Sequence, residues 1–222
     1  MRARLAALNR QPINATRQPA ERIVGCCRDF TVLLLTMVRA AGIPARARVG
    51  FATYFACVTA STTSWLKSGT KARDDGAWST PSLVTTTSEP DDRAQIDPLD
   101  VGRDQFLVAG AAWQSCRAGT ADAQSFLVDP HLGIVQTRSW PYLRHNVVRD
   151  LAALNKSEMP LWDSWGLIDL EPLGFADTEL LDRLAELTGS IDPDLSQFRA
   201  VCAPEPRLQV PASVTRHDPL GG

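Results

Sequence analysis

The chain is short of the residues that mark several functional classes, and each shortage removes one. Only three histidines occur in 222 residues, and no HExxH pair is present, so a zinc-peptidase helix is excluded. The five cysteines, Cys26, Cys27, Cys57, Cys116 and Cys202, are odd in number and never spaced as CxxC. That argues against a disulfide framework and against a zinc site; reduced thiols in a cytoplasmic protein are expected. No Gly-rich phosphate loop and no serine-hydrolase elbow appears. Neither sign of charge dominates, since 23 Lys and Arg face 25 Asp and Glu for a net charge of −2. Nucleic acid and anionic membranes therefore have no electrostatic handle. The apolar run from Phe30 to Ala41 is too short to cross a bilayer and carries Arg39, while Met1–Arg22 is polar and Arg-rich, unlike a signal peptide. A soluble chain without cofactor or internal repeat is the expectation.

What is present is an ordinary globular composition, 44% apolar and 22% charged, enough for one substantial core with or without an appendage. Residues 1–22 hold a short helical pattern, Arg4–Asn9, then a linker with Pro12 and Pro19, and read as a leader or the remnant of a longer N-terminus. Cys27–Ala41 has no Gly or Pro and is nearly all apolar, which predicts a buried helix. Gly42 suits the left-handed position after its end, and Pro44 forbids continuation. Arg46–Phe55 predicts a strand with a kink or close approach at Gly50. Residues 56–95 then become dense in Ser and Thr without hydrophobic period, as in a polar loop or insert. Beyond them, helices are predicted over Arg103–Arg117, over Asn146–Lys156 with Asn146 as N-cap, and over Asp177–Leu187 with Asp177 as N-cap. A strand is predicted over Phe126–Val135, a turn at Trp140-Pro141, and an extended tail around Pro204, Pro206 and Pro211.

A thiol becomes a nucleophile only as thiolate. The N-terminus of a helix lowers its pKa, a histidine within reach takes the proton, and a carboxylate or amide orients that histidine. Cys26 and Cys27 both stand at the predicted helix start; the plain alternative is two buried, inert thiols, the commoner fate of cysteine. The run Gly25-Cys26-Cys27-Arg28-Asp29-Phe30, then Arg39-Ala40-Ala41-Gly42-Ile43-Pro44-Ala45-Arg46 and Val49-Gly50-Phe51, resembles the core motif of the transglutaminase-like superfamily. Segments Phe106–Gly119 and Asn146–Gly166 also resemble the C-terminal part of its bacterial members. The resemblance implies an α+β, papain-like fold: a nucleophile-bearing helix on a small antiparallel sheet, here over residues 23–100, with a helical C-terminal extension over 101–222. It also implies a Cys-His-Asp triad for acyl transfer or amide hydrolysis on a protein or peptide substrate, with Cys27 as the nucleophile.

The family's next motifs, Asp-His-x-x-x-Glu-x-Trp and Arg-Trp-x-x-Val-Asp-Pro, are missing. Thr62-Thr63-Ser64-Trp65-Leu66-Lys67-Ser68-Gly69-Thr70 and Asp75-Gly76-Ala77-Trp78-Ser79-Thr80-Pro81-Ser82-Leu83 stand in their place. Reading each codon of this region one base earlier recovers them. Thr62 and Thr63, both ACN, permit Asp and His, and Leu66 after the single Trp codon is forced to Ala or Val. Lys67 permits Glu and Gly69 permits Trp. Asp75 is forced to Arg or stop, Gly76 to Trp or Arg, and Thr80 permits Asp. The strings Asp-His-Leu-Val-Val-Glu-Val-Trp-Asp and Arg-Trp-Arg-Leu-Val-Asp-Pro-Gln-Leu emerge in one frame. The hypothesis is that two compensating frameshifts scrambled residues 57 to about 92.

As written, Thr63 occupies the base position and Thr80 the carboxylate position. Neither hydroxyl accepts a proton from a thiol near neutral pH. An impaired enzyme is therefore expected, the alternative being a non-catalytic binding protein of the same fold. Of the histidines, His131, in Asp129-Pro130-His131, is the one in-frame substitute base, though a turn role suits Asp-Pro better. His145, just ahead of a predicted helix, reads as a surface or capping residue, and His217 as a solvated tail residue. Four of the six tryptophans, Trp113, Trp140, Trp162 and Trp165, read as packing. The gene tests the frame hypothesis: the codons spanning Thr63 and Thr80 are expected to yield His and Asp one base earlier, and codons that cannot do so sink it.

Overall fold

The computed structural model describes residues 12, 15–21, 27–53, 61–68, 77–79, 97, 100–128, 135–190 and 193–216. The first long element is helix α1, Cys27–Ala40. It ends as its sequence dictates. Gly42 sits at φ +77°, Gly42 N–H donates to the Arg39 carbonyl and Ile43 N–H to the Val38 carbonyl. This is a Schellman stop, in which the backbone closes its own last carbonyls.

The chain reverses into β1, Ala45–Ala52, which pairs antiparallel with β2, Ser61–Ser68, over all eight residues. β3, Ala77–Ser79, adds to β2, and β4, Phe106–Val108, adds to the other edge of β1. The sheet order is β3-β2-β1-β4. The expected close approach at Gly50 is real: a Cβ there would lie 2.3 Å from the Leu107 carbonyl oxygen and 2.8 Å from Val108 Cα. β2 forms inside the stretch whose sequence reads as a polar loop or insert. Thr is a good strand residue, and an eight-residue ladder on a buried neighbour outweighs the lack of strict alternation. The remainder of 57–95 falls outside the described residues, apart from β3.

The C-terminal part is mainly helical: α2, Ala109–Arg117; α3, Ser139–Leu154; α4, Phe175–Thr188; and α5, Leu195–Cys202. A two-residue ladder joins β5, Asp163–Ser164, to β6, Thr215–Arg216. The architecture is α+β, with a helix on a small antiparallel sheet and a helical C-terminal part.

Several boundaries differ from expectation. Residues 106–108 are strand, not helix, because they complete the sheet beside β1. Trp140-Pro141 lies in the first turn of α3 rather than in a loop; a proline there forfeits only an N–H that the helix leaves unpaired anyway. Asn146 is therefore mid-helix and fully buried, not a cap. Gly174 caps α4, and Asp177 three residues on accepts from the Gly174 N–H at 3.1 Å. Of the strand expected at Phe126–Val135, residues 129–134 lie outside the described residues; among the others Leu127 bridges Arg138 and Val135 starts a short 3₁₀ turn. Residues 195–202 and 206–208 are helical turns ahead of the Pro-rich tail.

The main core gathers Phe51 of β1 with Trp113, Tyr142, Leu151, Leu184 and Phe198. Phe51 meets Phe126 and Tyr142 edge-on, at centroid distances of 4.8 and 5.6 Å. A smaller cluster of Leu35, Ala47, Val49 and Ala153 joins α1, β1 and α3. Between them lies one ion pair sealed from water. Arg48 and Asp150 are both 0% exposed, and the Arg48 Nε and Nη2 atoms donate to the Asp150 carboxylate at 3.0 and 2.8 Å. Asp150 also accepts from the Val49 N–H at 2.6 Å. The rest of the guanidinium donates to the Thr188 and Ser190 carbonyls at 2.7 and 3.0 Å. Removing one partner strands a buried charge, a loss of about 3–5 kcal/mol. Asp150→Ala is expected to lose stability on that scale in urea unfolding; a loss within about 0.5 kcal/mol, the surface-substitution range, contradicts this account.

Candidate active site

Cys27 is the first residue of α1. A 14-residue helix aligns its peptide dipoles toward that end, and its first N–H groups have no intrahelical acceptor. Both effects favour a thiolate over a thiol at the helix start. The next residue fixes the helix in place. Arg28 is buried, and its Nε donates to the Met159 carbonyl at 2.7 Å, tying the first turn of α1 to the segment after α3. Asp29, in the same turn, is exposed.

The strands supply the other positions. α1 packs against β1 and β2. Thr63 lies on β2, opposite Gly50 of β1, and Ser79, the last residue of β3, lies opposite Leu66. Thr80 follows β3 directly and is outside the described residues. The backbone thus provides a helix start at Cys27, a strand at Thr63 and a strand end before Thr80. Among these positions only Cys27 has a side chain able to do triad chemistry.

No other described thiol or imidazole takes over. Cys116 and Cys202 are buried, and burial pushes each thiol up to about 11, with Asp122 adding to the shift at Cys116. Such thiols stay protonated near neutral pH and are inert. His145 is 5% exposed in the middle of α3, which overturns the expectation of a surface or capping residue. His131 and His217, with Cys26 and Cys57, lie outside the described residues. Of the tryptophans, Trp113 and Trp165 are buried; Trp113 donates to Asp182 at 2.7 Å and carries the half-exposed Trp140 edge-on at 5.3 Å. Among the described residues no group of three His, Cys, Asp or Glu side chains is placed to hold a metal ion, and no helix is long and apolar enough to cross a membrane.

One feature beside the helix start had no signal in the local sequence. Arg149 of α3 is buried near Arg28 and donates to the Asp163 carbonyl at 3.0 Å. Burial, with Arg28 adding, pulls its guanidinium down to about 10, which still leaves it charged at neutral pH. Arg28 therefore ties Met159 to the start of α1, while Arg149 ties Asp163 to α3.

Residues 6–79 fit the family model described as the transglutaminase-like superfamily. No curated protein and no solved structure matches the chain. The matched span contains α1, β1, β2 and β3, the elements that carry the Cys27 and Thr63 positions and lead to Thr80. Residues 6–79, about a third of the chain with Cys27 at the start of its helix, are thus similar to the transglutaminase-like superfamily.

Proposed function

We propose that this protein carries the nucleophile half of a transglutaminase-like site and lacks the half that activates it. The template chemistry is attack of a cysteine thiolate on a protein or peptide amide, followed by transfer of the acyl group to an amine or to water. The observation that carries this reading is the pairing of Cys27 at the start of α1 with Thr63 on a fully formed β2. The strand is formed, and the position of the base holds a threonine.

A thiolate favoured by the helix dipole can attack, but the amine leaving from the tetrahedral intermediate needs a proton. In a Cys-His pair the imidazolium delivers it; a threonine hydroxyl neither takes the thiol proton nor returns it. Triad members act as a unit, and losing one costs about 10⁴- to 10⁶-fold in turnover. The chain as it stands is thus a binding scaffold for an amide-bearing protein segment with turnover near zero. Frameshift of residues 57 to about 92 is the origin that this reading assigns to the missing groups.

Two measurements test it. Purified protein is expected to release no ammonia from a Gln-containing peptide, while Thr63→His combined with Thr80→Asp is expected to gain turnover that Cys27→Ala removes. Turnover by the unaltered chain that Cys27→Ala abolishes would overturn the proposal. For the thiols, alkylation followed by mass spectrometry is expected to label Cys27 at a lower pH than Cys116 and Cys202, which are held up near 11 by burial. Labelling of all three together contradicts an activated Cys27.

A further inference from the structure

At the other end of α1, about 20 Å of helix away from Cys27, lies a cavity of about 770 Å³. Four cations line it: Arg39, Arg46, Lys156 and Arg199. Arg39 is engaged, with Nη2 3.2 Å from the Glu158 carboxylate and Nε donating to the Ala45 carbonyl at 3.0 Å. The side chains of Arg46, Lys156 and Arg199 make no hydrogen bond or ion pair with any described residue. The neighbouring carboxylate of Asp194 is turned to the Ser196 N–H and hydroxyl. Three uncompensated positive charges thus face one space. Its remaining walls, Ile43, Pro44, Leu154 and Leu195, are apolar.

The plain reading is that these cations neutralise helix C-termini, but the helix ends here are already closed. α1 ends in its own Schellman turn at Gly42. α3 ends the same way, with Lys156 N–H donating to the Ala153 carbonyl and Ser157 N–H to the Ala152 carbonyl. The residues at the two left-handed positions differ. α1 uses glycine at φ +77°, whereas α3 uses Lys156 at φ +65°. A side chain costs stability at such a φ, where glycine costs nothing. The lysine is held in the less favourable backbone at a cavity wall, which is the pattern of a functional position rather than a structural one.

We propose that this cavity is a binding site for a phosphate-bearing organic ligand. Arg46, Lys156 and Arg199 supply the charge for a multiply ionised phosphate, with the two guanidinium forks suited to paired oxygens. A single carboxylate would leave two of the three cations unpaired. The apolar walls take the ligand's carbon body, and the volume is that of an ordinary small-molecule site, about 300–1,000 Å³. The site is remote from Cys27 and independent of any activity there.

Calorimetry at low ionic strength, with pyrophosphate as the anion alone and ATP in excess chelator as an organic phosphate, tests this. Pyrophosphate is expected to bind saturably one to one, with ATP tighter, and added salt is expected to weaken both. Lys156→Gly separates binding from folding: its melting temperature is expected to be no lower than that of the unaltered chain, because glycine suits the left-handed position, while its Kd rises about tenfold. Arg199→Ala is expected to weaken binding to a similar extent. Absence of saturable pyrophosphate binding, or a Kd unchanged in Lys156→Gly and Arg199→Ala, overturns the site. ATP binding no tighter than pyrophosphate overturns the assignment of the apolar walls.

Discussion

The structure depends on one buried charge pair. Arg48 and Asp150 are far apart in sequence and fully removed from water. Two ions in such a place are costly unless every hydrogen-bonding site is used, and here the donors run to Asp150, Thr188 and Ser190. The pair therefore constrains geometry more than it adds net stability. Asp150 holds the Val49 N–H as well, so α3 is locked in register with β1. The Thr188 and Ser190 carbonyls fix where α4 ends. β1 is in turn the strand on which β2 and β4 are built. If Arg48 lost its partners, the sheet and the C-terminal helices would keep only the apolar contacts of Phe51, Ala47 and Val49 to set their register.

The same device recurs around α3. Arg144 donates to the Leu170 and Ile168 carbonyls, Arg149 to the Asp163 carbonyl, and Arg28 of α1 to the Met159 carbonyl. Loop carbonyls have no ladder to join and must find donors if they are buried. A guanidinium carries five N–H groups in a fixed fork and stays charged, so one residue can hold several carbonyls at once. Here buried arginines close the loops that a larger sheet would otherwise organise. The helix start at Cys27 benefits directly, because Arg28 makes its first turn part of that network.

How much of this was legible follows the range of each interaction. α1, its stop at Gly42-Ile43-Pro44 and the strand after it are dictated by neighbours in sequence and form where expected. But α1 buries only one face, around Leu35, and exposes Met37, where a fully buried helix is predicted. The close approach at Gly50 was also readable as one of two options, since a glycine inside a strand has few other uses. Phe106–Val108 was not, because three apolar residues before a helix look like its first turn until β1 offers them an edge. Trp140-Pro141 looked like a break because proline is one inside a helix but not at its beginning. Arg48, Arg144 and Arg149 gave no signal at all: an arginine that pairs across the core has the same local context as one on the surface. At the site, Cys27 could be placed from its helix, and Thr63 from family spacing, but neither the Arg28 tether nor the buried Arg149 could.

The Ser- and Thr-rich segment shows how a strand forms with little regard to the identity of its side chains. A strand is held mainly by backbone N–H and carbonyl groups, which every non-proline residue carries. Its side chains need only tolerate the pleat, and Thr does so well. Gly50 gives no side chain of its own at the point where Thr63 crosses β1, so the ladder makes no demand on identity there. A triad makes the opposite demand: one atom type, at one position, with one proton affinity. A shift of reading frame that swaps every side chain while keeping the chain free of proline across Ser61–Ser68 can leave the ladder intact and remove the base entirely. The ladder at Thr63 therefore constrains the backbone and not the chemistry, and under the proposed function the side chain at 63 decides whether a thiolate at Cys27 has a base.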